Sequence, residues 1–271
     1  MSTECQQAWR KLNVDGTDLN VSALRRDGAQ APILFLHGFG STKEDYADIQ
    51  RHRAFDPYGV LAFDAPGCGQ TDCADASIVT IPFLVKTALA MLKAERIERF
   101  HLVGHSMGGL TALMLASAYP DRVLSFCNIE GNIAPEDCFL SRQIHDYPAE
   151  NPQAFMSAFV ERASAAPFWS SPLFATSLLH KVRIEAVRGI FTSMVDLSDN
   201  ASLMDRFLGL PCPKMFMYGE QNANLSYLSE ISTRGVELAE IPQCGHFPMY
   251  ANPPEMWRRI SQFLITADAK Q

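Results

Sequence analysis

The chain has 271 residues, 47% of them hydrophobic, which is enough to bury a sizeable core and suits one elaborated α/β domain. Its 23 basic and 30 acidic residues leave a net charge of −7, which argues against nucleic acid or an anionic membrane as partner and favours a small-molecule substrate. Seven cysteines, scattered and without a CxxC pair, suit neither a disulfide framework nor a zinc site. The absence of an 18-residue apolar run and the polar start MSTECQQAWRKLNVDG give the expectation of a cytoplasmic protein. The sequence does not address oligomeric state.

Along the chain, two weakly β-like segments before residue 32 suggest an antiparallel edge. Six short apolar runs follow, at 32–38, 58–64, 99–105, 122–130, 213–219 and 235–241, and their continuous apolar character predicts strands buried on both faces. Helical stretches at 80–95, 106–118, 225–233 and 253–266 alternate with them, the pattern of a mainly parallel sheet covered on both sides. The alternation breaks between about 132 and 205. FMSAFVERA, PLFATSLLHKV and IEAVRGIFTSMVDL carry apolar residues three and four apart, which predicts an inserted helical unit. The expected organisation is a core of 1–131 and 206–271 with a helical cap over 132–205.

LVGHSMGG follows a predicted strand and opens a predicted helix, giving GxSxG as Gly104, His105, Ser106, Met107 and Gly108. A serine on a sharp strand-to-helix turn needs glycine two residues to either side, since a Cβ there would collide with the turn. Free amides and the positive end of the helix dipole behind it favour developing negative charge. The alternative is that Ser106 only caps its helix, as serines commonly do.

FLHGFGS at 35–41, FDAPGCGQT at 63–71 and CGHFPMYANPPEMWRRISQFL at 244–264 join that turn in resembling the α/β-hydrolase superfamily over nearly the whole chain. The resemblance implies an eight-stranded-type, mainly parallel sheet with a helical cap, and a serine hydrolase needing no cofactor or metal. It also implies an oxyanion hole from the backbone amides of Phe39 and Met107, and His246 as the base. His37 then braces its loop. His101 and His105 belong to a strand and its end, and His52, His145 and His180 have no context beyond surface or cap roles.

The family's commoner acid position falls on Asn222, in GEQN after a strand, and asparagine cannot stabilise an imidazolium by charge. Glu130 ends the strand after the nucleophile helix, where it resembles the alternative acid position of some haloalkane dehalogenases, so Ser106, His246 and Glu130 are the expected triad. Glu220, Asp196 and Asp199 stand in reserve, and Asp137 is expected to lie too far into the cap. Carboxylic ester hydrolysis is the main expectation; carbon–carbon, lactone or amide hydrolysis and a non-catalytic receptor are the alternatives. Phe139, Phe168, Trp169, Phe174, Phe191 and Met194 suggest an apolar acyl or aromatic pocket.

Overall fold

The computed structural model describes residues 4–145 and 151–270. Nine strands form one sheet: β1 (Gln6–Val14), β2 (Thr17–Arg26), β3 (Gln30–Leu36), β4 (Tyr58–Phe63), β5 (Asp72–Cys73), β6 (Phe100–His105), β7 (Val123–Ile129), β8 (Lys214–Gly219) and β9 (Glu237–Ile241). The main path runs β1-β2-β4-β3-β6-β7-β8-β9, and the two-residue β5 pairs with β2. The early segments form a full antiparallel hairpin, with β2 also antiparallel to β4, while β4, β3, β6, β7, β8 and β9 are parallel neighbours. Every residue of β4, β6 and β7 is buried, as expected of strands covered on both faces.

The helices are α1 (Ile81–Ala94), α2 (Met107–Ala118), α3 (Phe139–His145), α4 (Pro152–Ala165), α5 (Ser171–Lys181), α6 (Ile184–Asn200), α7 (Leu203–Gly209), α8 (Leu228–Thr233), α9 (Pro248–Ala251) and α10 (Pro253–Asp268). Capping fixes where the long ones begin. Thr80 accepts the Phe83 amide at α1, and Asn252 accepts the Glu255 amide at α10, each with proline in the first turn. The helix expected over 225–233 starts only at Leu228, because Glu220–Asn222 forms a 3₁₀ turn after β8 and the chain needs the next residues to reach α8.

Among the described residues, the α-helices α3 to α7 lie between β7 and β8. α3 packs on α6 and α4 on α5. The link between α5 and α6 is tied to the core by backbone: Gly69 N donates to the Lys181 carbonyl (2.7 Å) and Arg183 N to the Gly67 carbonyl (2.8 Å). No helix among the described residues is long and apolar enough to cross a membrane.

The sheet order decides where chemistry can occur. From β3 the chain continues to β4 on one side and later to β6 on the other, so the loops leaving β3 and β6 diverge and open a crevice at their carboxyl ends. The tips of β3, β6, β7, β8 and β9 are consecutive along this edge, and they carry the Phe39 loop, Ser106, Glu130, Asn222 and His246.

Candidate active site

Ser106 sits between β6 and α2 with φ 52° and ψ −119°, a strained backbone for a residue with a side chain. The surroundings enforce the turn. A Cβ at Gly104 would lie 2.5 Å from the Gly108 carbonyl oxygen, and one at Gly108 would lie 2.2 Å from that of Leu36. Ser106 makes no side-chain cap hydrogen bond to α2, so its hydroxyl is not used as a helix cap.

Glu130 follows β7 with φ 44°, a second non-glycine residue in the left-handed region, held by its amide donating to the Met217 carbonyl (3.0 Å). Its side chain is only 6% exposed. Three donors meet its carboxylate: His246 Nδ1 (2.7 Å) and Asn222 Nδ2 (2.7 Å) both donate to Oε2, and the Gly219 amide donates to Oε1 (2.7 Å). A proton on Nδ1 facing a carboxylate leaves His246 Nε2 as the basic nitrogen. Asn222, at the position where an acid was looked for, therefore binds Glu130, a contact that no local sequence signal announces.

The reserve acids are engaged elsewhere. Glu220 accepts the Gln243 amide (2.8 Å), Asp196 accepts from Asn200 (2.9 Å), and Asp199 pairs with Arg142. Asp137, set aside as an acid for its place in the insertion, bonds other partners than His246 but lines the same cavity as Ser106. It accepts the amides of Ile133 and Ala134 and the Tyr227 hydroxyl (2.8–2.9 Å), and burial pushes its carboxyl up to about 6. The start of the helical insertion folds back onto the loop after β8, which brings Asp137 to the cavity wall.

The loop after β3 is pinned from below. His37 Nδ1 donates to the Gly38 carbonyl (2.8 Å) and Nε2 accepts the Ala65 amide (2.9 Å). Asp64 accepts the Lys43 amide (2.8 Å), the Lys43 ammonium (2.9 Å) and the Gln70 amide (2.8 Å), and both charged side chains are fully buried. The DAPGCGQT turn thus grips the HGFGSTK turn. Thr71, where the family commonly has serine, donates to the Asp64 carbonyl (2.7 Å) and accepts the Ser22 amide (3.1 Å), work that a serine hydroxyl also does.

His105 is buried, and its Nε2 donates to the His246 carbonyl (2.8 Å), tying the His246 loop to β6. Burial, and then the neighbouring His246, hold its pKa well below the usual histidine range, so the ring stays neutral. His101 bridges Ser125 and Asp268, and His52 packs against Trp257. His180 is exposed at the end of α5, and the His145 side chain lies outside the described residues.

A cavity of about 350 Å³ joins these groups. Ser106, Glu130, Asn222 and His246 lie in its wall with Phe39, Phe159, Phe247 and Tyr227. Five of the six expected apolar residues line it: Phe139, Phe168, Phe174, Phe191 and Met194. Trp169 does not; it is exposed, and its amide donates to Gln221 Oε1 (2.9 Å). Ring contacts between Phe39 and Phe191 (4.5 Å) and between Phe174 and Phe247 (4.5 Å) join aromatic side chains within the wall. No group of three or more His, Cys, Asp or Glu among the described residues could hold a metal ion.

The family model for the alpha/beta hydrolase family matches residues 33–259. This chain belongs to that family. Over 92% of its length it is 28% identical to a 2-hydroxy-6-oxononadienedioate/2-hydroxy-6-oxononatrienedioate hydrolase of Burkholderia vietnamiensis, 92% of which is covered. It is 36% identical over 44% of its length to the dihydrolipoyllysine-residue acetyltransferase component of the acetoin cleaving system of Cupriavidus necator. The chain spans about a third of two of the curated relatives it matches, 30% and 38% of their lengths. Among solved structures, a Nitrososphaera gargenis protein from a study of carboxylesterases superposes with a TM-score of 0.79, covering 97% of this chain and all of that one. At 15% identity that likeness speaks for the fold alone.

Proposed function

We propose that this hydrolase cleaves small carboxylic esters with an apolar or aromatic acyl group through an acyl-enzyme on Ser106. His246 Nε2 takes the serine proton as the hydroxyl attacks the carbonyl, returns it to the leaving alcohol, and then activates water to release the acid. Glu130 holds the Nδ1–H tautomer and stabilises the imidazolium. The amides of Phe39 and Met107 receive the developing oxyanion. Residues 132–205 roof the site as a cap and supply most of the acyl pocket. The observation that carries this reading is the 2.7 Å bond from His246 Nδ1 to a buried carboxylate, in a cavity shared with a serine on a strained strand-to-helix turn. The cysteines in the described residues are all unpaired, which fits a cytoplasmic setting.

The test is steady-state hydrolysis of p-nitrophenyl esters from acetate to octanoate, beside Ser106→Ala. Turnover that vanishes with the hydroxyl is expected, with an optimum chain length that sizes the pocket. Turnover surviving the substitution would overturn the mechanism. A second reading, in which the same residues hydrolyse a carbon–carbon, lactone or amide bond, is favoured by the match along 92% of both chains to a hydrolase named for an oxo-dioate substrate. Absence of ester turnover together with cleavage of such a compound would move the assignment there. A non-catalytic receptor would bind a ligand and turn over nothing.

A further inference from the structure

Four charged side chains besides His246 line the cavity: Glu130, Glu136, Asp137 and Arg162. The three carboxylates are each met by donors. Glu130 takes three, Asp137 takes two amides and the Tyr227 hydroxyl, and Glu136 takes the amide and hydroxyl of Ser226. Arg162 is different: among the described residues no hydrogen bond or ion pair reaches its guanidinium. Nor is it simply one of the outward residues of α4. Phe159, Arg162 and Ala163, with Ala166 just beyond the helix, lie three and four apart and all line the cavity, whereas exposed Glu161 and Ser164 do not. The two alanines leave room beside the guanidinium. The cavity's acids are provided for within the protein, and Arg162 is the one Lys or Arg among the described residues that line it.

We propose that Arg162 is a specificity site for a carboxylate carried by the substrate away from its scissile carbonyl, so that half-esters of dicarboxylic acids are preferred over neutral esters of equal length. This rests on the serine-hydrolase reading and names the substrate class for it. A guanidinium engages a carboxylate through two parallel hydrogen bonds, which sets direction as well as charge. The net charge of −7 works against anionic substrates, so such a preference has to arise locally. Because Arg162 is exposed as well as lining the cavity, the gain is moderate and weakens with salt.

The experiment compares p-nitrophenyl octanoate with the mono-p-nitrophenyl ester of suberic acid, matched in length and differing in the terminal carboxylate, for the wild type, Arg162→Gln and Arg162→Lys. The ratio of kcat/KM, anionic over neutral, is expected to fall about five- to tenfold in Arg162→Gln. Neutral-ester turnover stays within about twofold, Arg162→Lys falls between, and added salt erodes the wild-type preference. An unchanged ratio, or an equal loss on both esters, would overturn the proposal. Binding of monomethyl suberate and methyl octanoate to Ser106→Ala protein, with and without Arg162→Gln, reads the same preference without turnover. Selective loss of suberate half-ester binding supports the site even if ester hydrolysis fails, and equal binding by both proteins refutes it even if hydrolysis succeeds.

Discussion

Glu130→Gln is the sharpest perturbation of the site, because it keeps the shape of the side chain and removes only charge and one acceptor. In the native arrangement three donors converge on the carboxylate, two on Oε2 and one on Oε1. A glutamine cannot satisfy all three. With its oxygen toward His246 and Asn222, its NH₂ opposes the Gly219 amide; turned over, the NH₂ opposes His246 Nδ1–H and forces the wrong tautomer. Either way a buried donor is orphaned, at about 1–3 kcal/mol, and the imidazolium loses its counter-charge. Neutralising the acid of such a triad costs about 10⁴ in kcat, so a fall of about 10³–10⁴, or 4–5.5 kcal/mol, is expected. Asn222→Ala removes one of the same three hydrogen bonds but leaves the charge. About 1.5 kcal/mol, roughly tenfold in kcat, is the corresponding loss. The assay is kcat on a p-nitrophenyl ester for both variants, with melting curves to show that each is folded. If Asn222→Ala cost as much as Glu130→Gln, or both lost less than tenfold, Glu130 would not be the triad acid.

Asp64→Asn leaves the fully buried Lys43 ammonium with only the exposed Glu44 carboxylate (2.6 Å) as counter-charge and is expected to cost about 3 kcal/mol of folding stability by urea titration; a loss under about 1 kcal/mol would remove the ion pair from the account of the Phe39 loop. Asp137 has a pKa of about 6 in the fold, above the ordinary carboxylate value near 3.9, so the folded state binds more protons between these limits. Its stabilising effect is complete below about pH 4 and lost as pH rises through 6. Asp137→Asn, which cannot ionise, should therefore gain about 2 kcal/mol on the wild type between pH 4 and 7.5, and parallel stability profiles would refute the burial argument. Gly108→Ala sets a Cβ 2.2 Å from the Leu36 carbonyl oxygen, so soluble yield and activity should both collapse, whereas a well-folded, active variant would show that the turn at Ser106 tolerates widening.

What was legible in the sequence follows the range over which each signal acts. Buried parallel strands are continuous apolar runs, and β4, β6, β7 and β8 fall within a residue or two of their expected places. β5 is two residues long and exists only because β2 is there to pair with, so no local pattern marks it. The turn at Ser106 was readable because a local steric demand is met by local glycines. That Asp137 lines the cavity was not readable for the opposite reason: its position depends on Tyr227, 90 residues away, and on the fold bringing both to one wall.

The same reasoning explains the asparagine at the commoner acid position. Read along the chain, Asn222 marks a missing charge, and its value becomes visible only when the tips of β7 and β8 lie side by side. A carboxylate at 222 would put two like charges within hydrogen-bonding distance of each other, where Asn222 Nδ2 now meets Glu130 Oε2 (2.7 Å), and one of them would have to take up a proton. An amide at that position donates instead, to the same oxygen that receives His246 Nδ1. On the proposed triad, with Glu130 as the acid, the residue left at the tip of β8 is best as a neutral donor, and asparagine is that donor in nearly the shape of an aspartate.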